Sequence, residues 1–554
     1  MKFSKLVDYL EKVEDTQASL EKMSILSELY SESGDDLEDV VMLSLGRISP
    51  SWEDLDLGIS SKSVVDIISK ASGRKENEVE EVWKTSGDLG DAAEKMIEGK
   101  TQQKLMTNEL TVQKVMDRLQ KVSEMEKEGI SQSVSQDKKK KLLADLLSSA
   151  EPEEARYLAR IMLENLRIGI GEGTVRDALD EAFLNGENSE LIQEAYDYSN
   201  DFRKVSIASR KGKEELEKID LQLFRPVNSM LAKKVENIDE GFETVGKPAA
   251  VDFKYDGMRA QIHIKAGEVK IFTRRLENVT SQFPDVKRYV EENIESDNCI
   301  IDSEIVGMKD GEVIPFQRLS KRIKRKYDIE KMEKEIPVEV RPFDVLYHEE
   351  SVMKRPYRER WSILETIVDE SRDVSLVDRT VTSEVEDVNE MQQTSLSQNH
   401  EGVMMKSLDA EYKPGSRVGY MVKLKPVMET LDLAIIGAQW SEGRKSGWLG
   451  RLKLGCWNEE TEEYEMVGRM SSGLTDKQLE EVTERLKPLI QSESGRDVEL
   501  RPEVLVEVEY EEIQKSPNYN SGYALRFPRL KRFRDDKEEA DNKKRVESLY
   551  SSQS

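Results

Sequence analysis

A chain of 554 residues has room for three or four domains with substantial cores. Its only cysteines are Cys299 and Cys456, which rules out a four-thiolate zinc site and argues against a disulfide framework. The net charge is -27, and no uninterrupted apolar run is long enough to span a bilayer, so a cytoplasmic protein without membrane contact is expected.

From residue 1 to about 239 the signals are helical. Phe3, Leu6, Val7, Leu10 and Val13 fall at three- and four-residue steps, and alternating runs are few. The pattern continues over 151–179, around Leu163, Leu166 and Ile170. It is broken in Arg167-Ile168-Gly169-Ile170-Gly171-Glu172-Gly173-Thr174, where three glycines precede Thr174, which is expected to open a new helix. Such glycines let backbone N–H groups approach a phosphate at a helix N-terminus; a plain corner between two helices reads equally well from the residues alone. So acidic a chain can grip nucleic-acid phosphates only where its cations cluster. They do so at 138–141, at Arg203, Lys204, Arg210 and Lys211, at 318–326 and at 526–534. The acid surplus reads as ordinary solubility or as adaptation to a salty cytoplasm.

Between 240 and 426 short alternating strands are interrupted by helices, the pattern of an α+β domain. Asp252-Phe253-Lys254-Tyr255-Asp256-Gly257-Met258-Arg259 sets a lysine at a strand end before a turn. In the strand that follows, Ala260, Ile262 and Ile264 alternate with the polar face of Arg259, Gln261, His263 and Lys265. Lys254 looks like a covalent-catalysis lysine, whose amine must be unprotonated to attack; neighbouring cations and partial burial are the expected means. Val422 and Leu424 alternate with Lys423 and Lys425, so both ammonium groups share a face, either converging on a phosphate or lining a solvated strand. His263, His348 and His400 have no nucleophile motif beside them and are not read as general bases.

From 427 to 554 come several short strands, at 431–438, 451–457 and around Val504, with glycine-rich turns between them, suggesting a small barrel. The turn 441–447 lacks the spacing of a phosphate loop and reads as a surface turn. Last comes Arg526-Phe527-Pro528-Arg529-Leu530-Lys531-Arg532, a basic element that would otherwise be a tail sticking to nucleic acid.

In order and spacing these motifs resemble the nucleotidyltransferases that pass through a lysyl-NMP intermediate, most closely the archaeal-type ATP-dependent DNA ligases. The resemblance covers nearly the whole chain. It implies an all-α N-terminal DNA-binding domain (1–239), an α+β nucleotidyltransferase domain (240–426) and a β-barrel OB-fold domain with the basic motif (427–554). It implies that Lys254 attacks the α-phosphate of ATP, with Arg274 toward the 5′-phosphate side of the nick, Glu304 on the ribose and Phe343 stacked on the adenine. Asp252, Arg259 and Arg417 would line the nucleotide pocket, with Lys423 and Lys425 at its phosphates. Glu401, helped by Glu304, would hold Mg²⁺ or Mn²⁺. Arg529 and Lys531 would orient pyrophosphate, and Arg167, Gly169, Gly171, Gly173 and Thr174 would contact DNA.

The implied partner is nicked duplex DNA, met by a monomer near the nucleoid, in replication, repair and recombination. A sliding clamp is a candidate partner, since 101–106 lies where related ligases carry a clamp-binding peptide, although the aromatic pair is missing. NAD-dependent ligases carry a four-cysteine zinc module, which this chain lacks. The segment 317–322 departs from the family pattern, leaving its DNA role open. An RNA ligase or capping-type enzyme is the alternative, and a noncatalytic DNA-binding protein the rival of another class.

Overall fold

The stripe Phe3, Leu6, Val7, Leu10 and Val13 is the buried face of the helix Phe3–Asp15, with every member 1% exposed or less. In the computed structural model the described residues are 1–53, 55, 57–98, 109–125, 132–323, 328–426, 428–441, 447–471 and 474–552. The clamp-peptide candidate 101–106 and most of the turn 441–447 lie outside them. The chain divides into two compact units, Met1–Lys425 and Pro426–Ser554.

The first unit begins with helices running from Phe3–Asp15 to Lys213–Glu217. Local chemistry sets their starts: Ser60, Thr111 and Asp201 each accept a backbone N–H of the first turn, and Pro152 opens Pro152–Met162. Arg160, on that helix, is buried against Glu14, Asp88 and Asp91 and ties it to the first helix. After the glycine turn the next helix starts at Glu172, two residues before the expected Thr174, because Val175 N–H already donates to the Gly171 carbonyl at 3.2 Å. The basic run 138–141 is not one cationic surface either. Lys139 is fully buried, with Nζ on the Leu57 carbonyl at 3.4 Å, and Lys140 pairs with Asp66 at 3.0 Å.

Eleven strands follow in this unit among the described residues: β1 (Lys233–Lys234), β2 (Ala249–Lys254), β3 (Met258–Lys265), β4 (Glu268–Thr273), β5 (Asn298–Lys309), β6 (Glu312–Ile314), β7 (Val338–His348), β8 (Glu350–Ser351), β9 (Arg379–Thr382), β10 (Gly402–Ser407) and β11 (Met421–Leu424). They form a five-stranded sheet, β1-β11-β10-β2-β9, and a six-stranded sheet, β4-β3-β5-β7-β8 with β6 on β5. The helix Ile238–Val245 buries Ile238, Phe242 and Val245 against the first sheet, and the expected division at 239 falls inside it. Arg322, counted in sequence among the basic clusters, is wholly buried. It ion-pairs with the equally buried Asp285 and donates to the Gln282 and Ile336 carbonyls at 3.1 Å, so it is a core group and not a phosphate contact.

On the polar face of β3, Gln261 and His263 are buried, Arg259 is half-buried and Lys265 is exposed. The segment 224–231, the last of the helical body, lies over the buried pair. Phe224 N–H donates to His263 Nδ1 at 2.9 Å, and Val227 N–H donates to Gln261 Oε1 at 2.8 Å. A two-residue alternation says which residues share a face but not whether another body covers it.

The second unit holds β12 (Leu431–Trp440), β13 (Leu449–Asn458), β14 (Glu463–Met470), β15 (Ile490–Ser494), β16 (Asp497–Leu500), β17 (Leu505–Glu509), β18 (Glu512–Lys515), β19 (Tyr523–Arg526) and β20 (Arg529–Phe533). The order is β14-β13-β12-β16-β15, with β17 bridging β12 to β20, and β18-β19 forms a separate pair. These pairings, among the described residues, do not run round into a closed ring. Cys299, in the first unit, and Cys456, on β13, are free and buried, and burial pushes both thiols up to about 12.

His263 gives the seam over β3 a pH dependence. Burial, with Lys270 nearby, pulls its imidazole from 6.5 down to about 3. The unfolded chain therefore binds a proton that the folded chain refuses, so stability is full above 6.5 and is lost as pH falls toward 3. Between pH 7 and 4 the loss from this one group is about 3 kcal/mol. His263→Gln should lose that much less than wild type in urea unfolding at the two pH values. Equal losses would remove His263 from this role.

Candidate active site

Three strand ends meet at one point because of register. Lys254 ends β2 and pairs with Gly402, which opens β10, while Val403 pairs with Leu424 at the end of β11. Glu401 N–H donates to the Lys254 carbonyl at 2.8 Å. The side chains flanking these ends then converge: Glu401 Oε2 lies 2.5 Å from Lys254 Nζ and 2.8 Å from Lys425 Nζ. Gly402 allows the crossing. Its φ is +126°, and a Cβ there would stand 2.4 Å from the Leu424 carbonyl oxygen.

The turn 255–257 leads from β2 into β3 and so joins the two sheets. Across β3 and β5, Arg259 pairs with Glu304. Gly257 packs onto this pair so closely that a Cβ would lie 2.6 Å from the Ile305 carbonyl oxygen and 2.8 Å from Glu304 Cγ. Lys254, Glu401, Lys425, Glu304 and Arg259 therefore form one electrostatic group.

Within it the carboxylates outweigh burial at the lysine. Burial pulls the Lys254 ammonium down, but Glu401, then Glu304 and Asp256, leave it above its ordinary value. This reverses the expectation that neighbouring cations would depress it. Lys425 supplies the expected charge, yet that charge rests on Glu401. Burial would raise Glu401, and Lys254 and Lys425 overcome it, holding the carboxyl at about 2. Glu304 goes the other way. Burial, with Glu401 and Asp256 adding, pushes it up to about 8 against Lys254 and Arg259.

Asp252 and Phe343 belong to a second, deeper group. Asp252 is 1% exposed and ion-pairs with Lys406 at 2.6 Å. Lys406 Nζ also sits 4.9 Å from the Phe343 ring centre and donates to the Tyr357 hydroxyl at 3.0 Å, which in turn donates to the Phe343 carbonyl. Asp252 is thus held by a lysine inside the protein and does not face an open cleft. Lys406 was missed from sequence as a site residue. Lys423 lies half-buried opposite Met404. Arg274 is exposed just after β4, and Arg417 is exposed in the loop before β11; among the described residues no ion pair joins either to Glu401 or Glu304.

In the second unit Arg529 is exposed, while Lys531 and Arg532 sit on the buried Glu507 at 3.1 and 2.6 Å, and Arg534 on Asp432 at 2.8 Å. Much of the motif's charge is therefore met by acids of its own sheet. In the glycine turn, Gly169 (φ +66°) would bring a Cβ within 2.9 Å of Lys22 Nζ, whereas Gly171 and Gly173 face open space. Arg167 donates to the Gly87 carbonyl at 2.9 Å, and Thr174 lies in the first turn of the helix.

The ionised Glu401, with Glu304, which a cation would draw into its ionised form, suits a hard divalent cation that keeps its waters and shares substrate phosphates. Among the described residues no group of three or more such ligands forms a complete protein cage. Because the crossing at Gly402 fixes the three strand ends, Gly402→Ala should destabilise the first unit by about 2 kcal/mol or more, combining left-handed strain with a backbone clash. Denaturant unfolding at unchanged stability would show that the strands can shift without cost.

Comparison with known proteins identifies the family. The family models for the DNA ligase N terminus, the ATP dependent DNA ligase domain and the ATP dependent DNA ligase C terminal region match residues 2–180, 229–425 and 445–537. The DNA ligase of Nanoarchaeum equitans (strain Kin4-M) is 42% identical, over 100% of this chain and 99% of that protein. The DNA ligase of Archaeoglobus fulgidus is 39% identical, over 99% and 98%. The solved structure Pmar-Lig_Pre shares the fold, with a TM-score of 0.61 at 16% identity, covering 96% of this chain and 99% of that one. The chain belongs to the archaeal-type ATP-dependent DNA ligases, with their three-domain architecture.

Proposed function

We propose that this chain seals single-strand nicks in duplex DNA with ATP, through lysyl-AMP and DNA-adenylate, serving replication, repair and recombination. The observation that carries the reading is the junction of Lys254, Glu401 and Lys425 at adjoining strand ends, with Glu304 and Arg259 across Gly257. In the first step a P–N bond forms between Lys254 Nζ and the α-phosphorus as the bond to pyrophosphate breaks and the amine gives up a proton. In the second, a 5′-phosphate oxygen takes the AMP and frees the lysine. In the third, the 3′-hydroxyl attacks and AMP leaves.

Lys254 must lose its proton first, and its carboxylate neighbours oppose that. A divalent ion, Mg²⁺ or Mn²⁺, held by Glu401 with Glu304 would neutralise those carboxylates and offset phosphate charge. Lys425 and Lys423 would then face the α-phosphate, Arg259 and Glu304 the sugar, and Phe343 the base, with Arg417 at the edge of the pocket and Asp252 acting from beneath it through Lys406. Arg274 would meet the 5′-phosphate side of the nick. The turn from Arg167 through Gly169, Gly171 and Gly173 to Thr174 would meet the DNA backbone. We read 1–239 as the DNA-binding domain, 240–426 as the adenylation domain and 427–554 as an OB-fold. Register shifts that bend β12 against β13 support that last reading. The chain would act as a monomer, with a sliding clamp as a partner.

Lys254→Arg tests the nucleophile, since a guanidinium stays protonated. Incubated with radiolabelled ATP and Mg²⁺, it should take up no acid-labile label while still binding nicked DNA. Label on the variant would remove Lys254 from its role. Sealing compared on DNA and RNA nicks separates this reading from an RNA ligase.

Arg529 and Lys531 are assigned to the leaving pyrophosphate. Arg529→Ala and Lys531→Ala should slow charging from ATP by about tenfold or more, the scale of a lost transition-state contact, and slow the joining of a pre-adenylylated nick less. Charging at the normal rate in both would return the motif to a basic DNA-contacting tail.

A further inference from the structure

Arg259 is held from behind. Its Nη2 ion-pairs with Asp302 and donates to the Tyr412 hydroxyl at 3.0 Å. That hydroxyl donates to Asp302 Oδ2 at 2.9 Å and accepts from Met230 N–H at 3.1 Å, which exhausts its hydrogen-bonding capacity. Asp302 Oδ1 accepts from Gln261 Nε2 at 3.3 Å, and Gln261 Oε1 accepts from Val227 N–H at 2.8 Å. Asp302 and Gln261 are each 1% exposed and Tyr412 is 5% exposed, so water cannot replace a lost partner cheaply.

Both groups that steady the Asp302 carboxylate are thus themselves steadied by backbone N–H groups of 224–231, the segment with which the helical body covers β3. On the far side of the same guanidinium, Arg259 Nη1 is buried with no hydrogen-bond partner among the described residues. It is a donor left for something the folded chain does not supply.

We propose that Asp302, with Tyr412, is a positioning residue for the nucleotide site. Its hold on Arg259 depends on the seating of 224–231, so one buried carboxylate ties the docking of the helical body to nucleotide binding. This rests on the reading of Arg259 as a nucleotide-pocket residue. If 224–231 lifts, Gln261 and Tyr412 lose their fixed partners, and Arg259 loses the frame that orients it.

The test follows lysine labelling by radiolabelled ATP across ATP concentrations, using the full chain. Asp302→Asn keeps the volume and removes the charge. It should raise the ATP concentration for half-maximal labelling by about tenfold while leaving the fraction of chains labelled at saturation unchanged. Tyr412→Phe and Gln261→Leu should shift it in the same direction by less. Asp302→Asn should add nothing in an Arg259→Ala background, because the two changes remove one arrangement.

A merely structural role would lower the labelled fraction and leave the ATP dependence alone, and that result overturns the proposal, as does multiplication of the Asp302 and Arg259 effects. A shift in Asp302→Asn with none in Tyr412→Phe or Gln261→Leu overturns the tie to the helical body. Failure of the underlying reading is distinguishable. Lys254→Arg would then label, or Arg259→Ala would leave the ATP dependence at its wild-type value.

Discussion

The backbone bond from Glu401 N–H to the Lys254 carbonyl fixes the register on which the site depends. Because β2, β10 and β11 are locked there, an acid and two lysines from segments about 150 residues apart in sequence are brought to one oxygen atom. A slip of one residue in either strand pair would turn these side chains to the other face. The two glycines at the crossing serve the same constraint. Gly402 lets β11 pass, and Gly257 lets Glu304 press against the turn after the lysine. The sheet thus assembles a charge group that no single strand could hold, at the cost of holding the lysine protonated.

How much of this was legible in sequence follows from what periodicity encodes. The lysine pair was read correctly as to face, since Val422 and Leu424 are buried and Lys423 and Lys425 are not. Asp302 and Glu304, two residues apart on β5, share a face by the same rule and oppose Gln261 and Arg259 on β3. That much could have been drawn from the alternation. Tyr412 could not, for it comes 110 residues after Asp302 and carries no local pattern. The burial of Gln261 and His263 was not legible for a related reason: their cover arrives from 224–231, and strand periodicity records only the strand's own two faces.

Charge was the least faithful guide. A run of lysines and arginines shows where cations are in sequence, not which way they point. Lys139 and Arg322 are buried, and Lys531, Arg532 and Arg534 rest on acids. The net charge of -27 is therefore no measure of how the chain meets DNA. Many of its carboxylates are already partners of its own cations, and the phosphates of a duplex would compete with them. Glu507, held at about 2 chiefly by Arg532, and then by Lys531 and Thr430 against its own burial, is such a competitor for the C-terminal motif. Any phosphate reaching Lys531 must draw it away from this acid, so the motif's affinity for an anion is the difference between two salt bridges and not the worth of one.

The same accounting applies to the seam between helical body and sheet, with a different outcome. There the contacts run from backbone N–H groups of 224–231 to the buried side chains of His263, Gln261 and Tyr412. Neutral bonds in a dry seam are insensitive to salt, whereas exposed ion pairs weaken as ionic strength rises. A chain with this much surface charge can therefore keep its helical body seated on the sheet across salt conditions that would loosen its grip on DNA. The seam and the surface cations answer to different physical variables, pH through His263 and ionic strength through the surface.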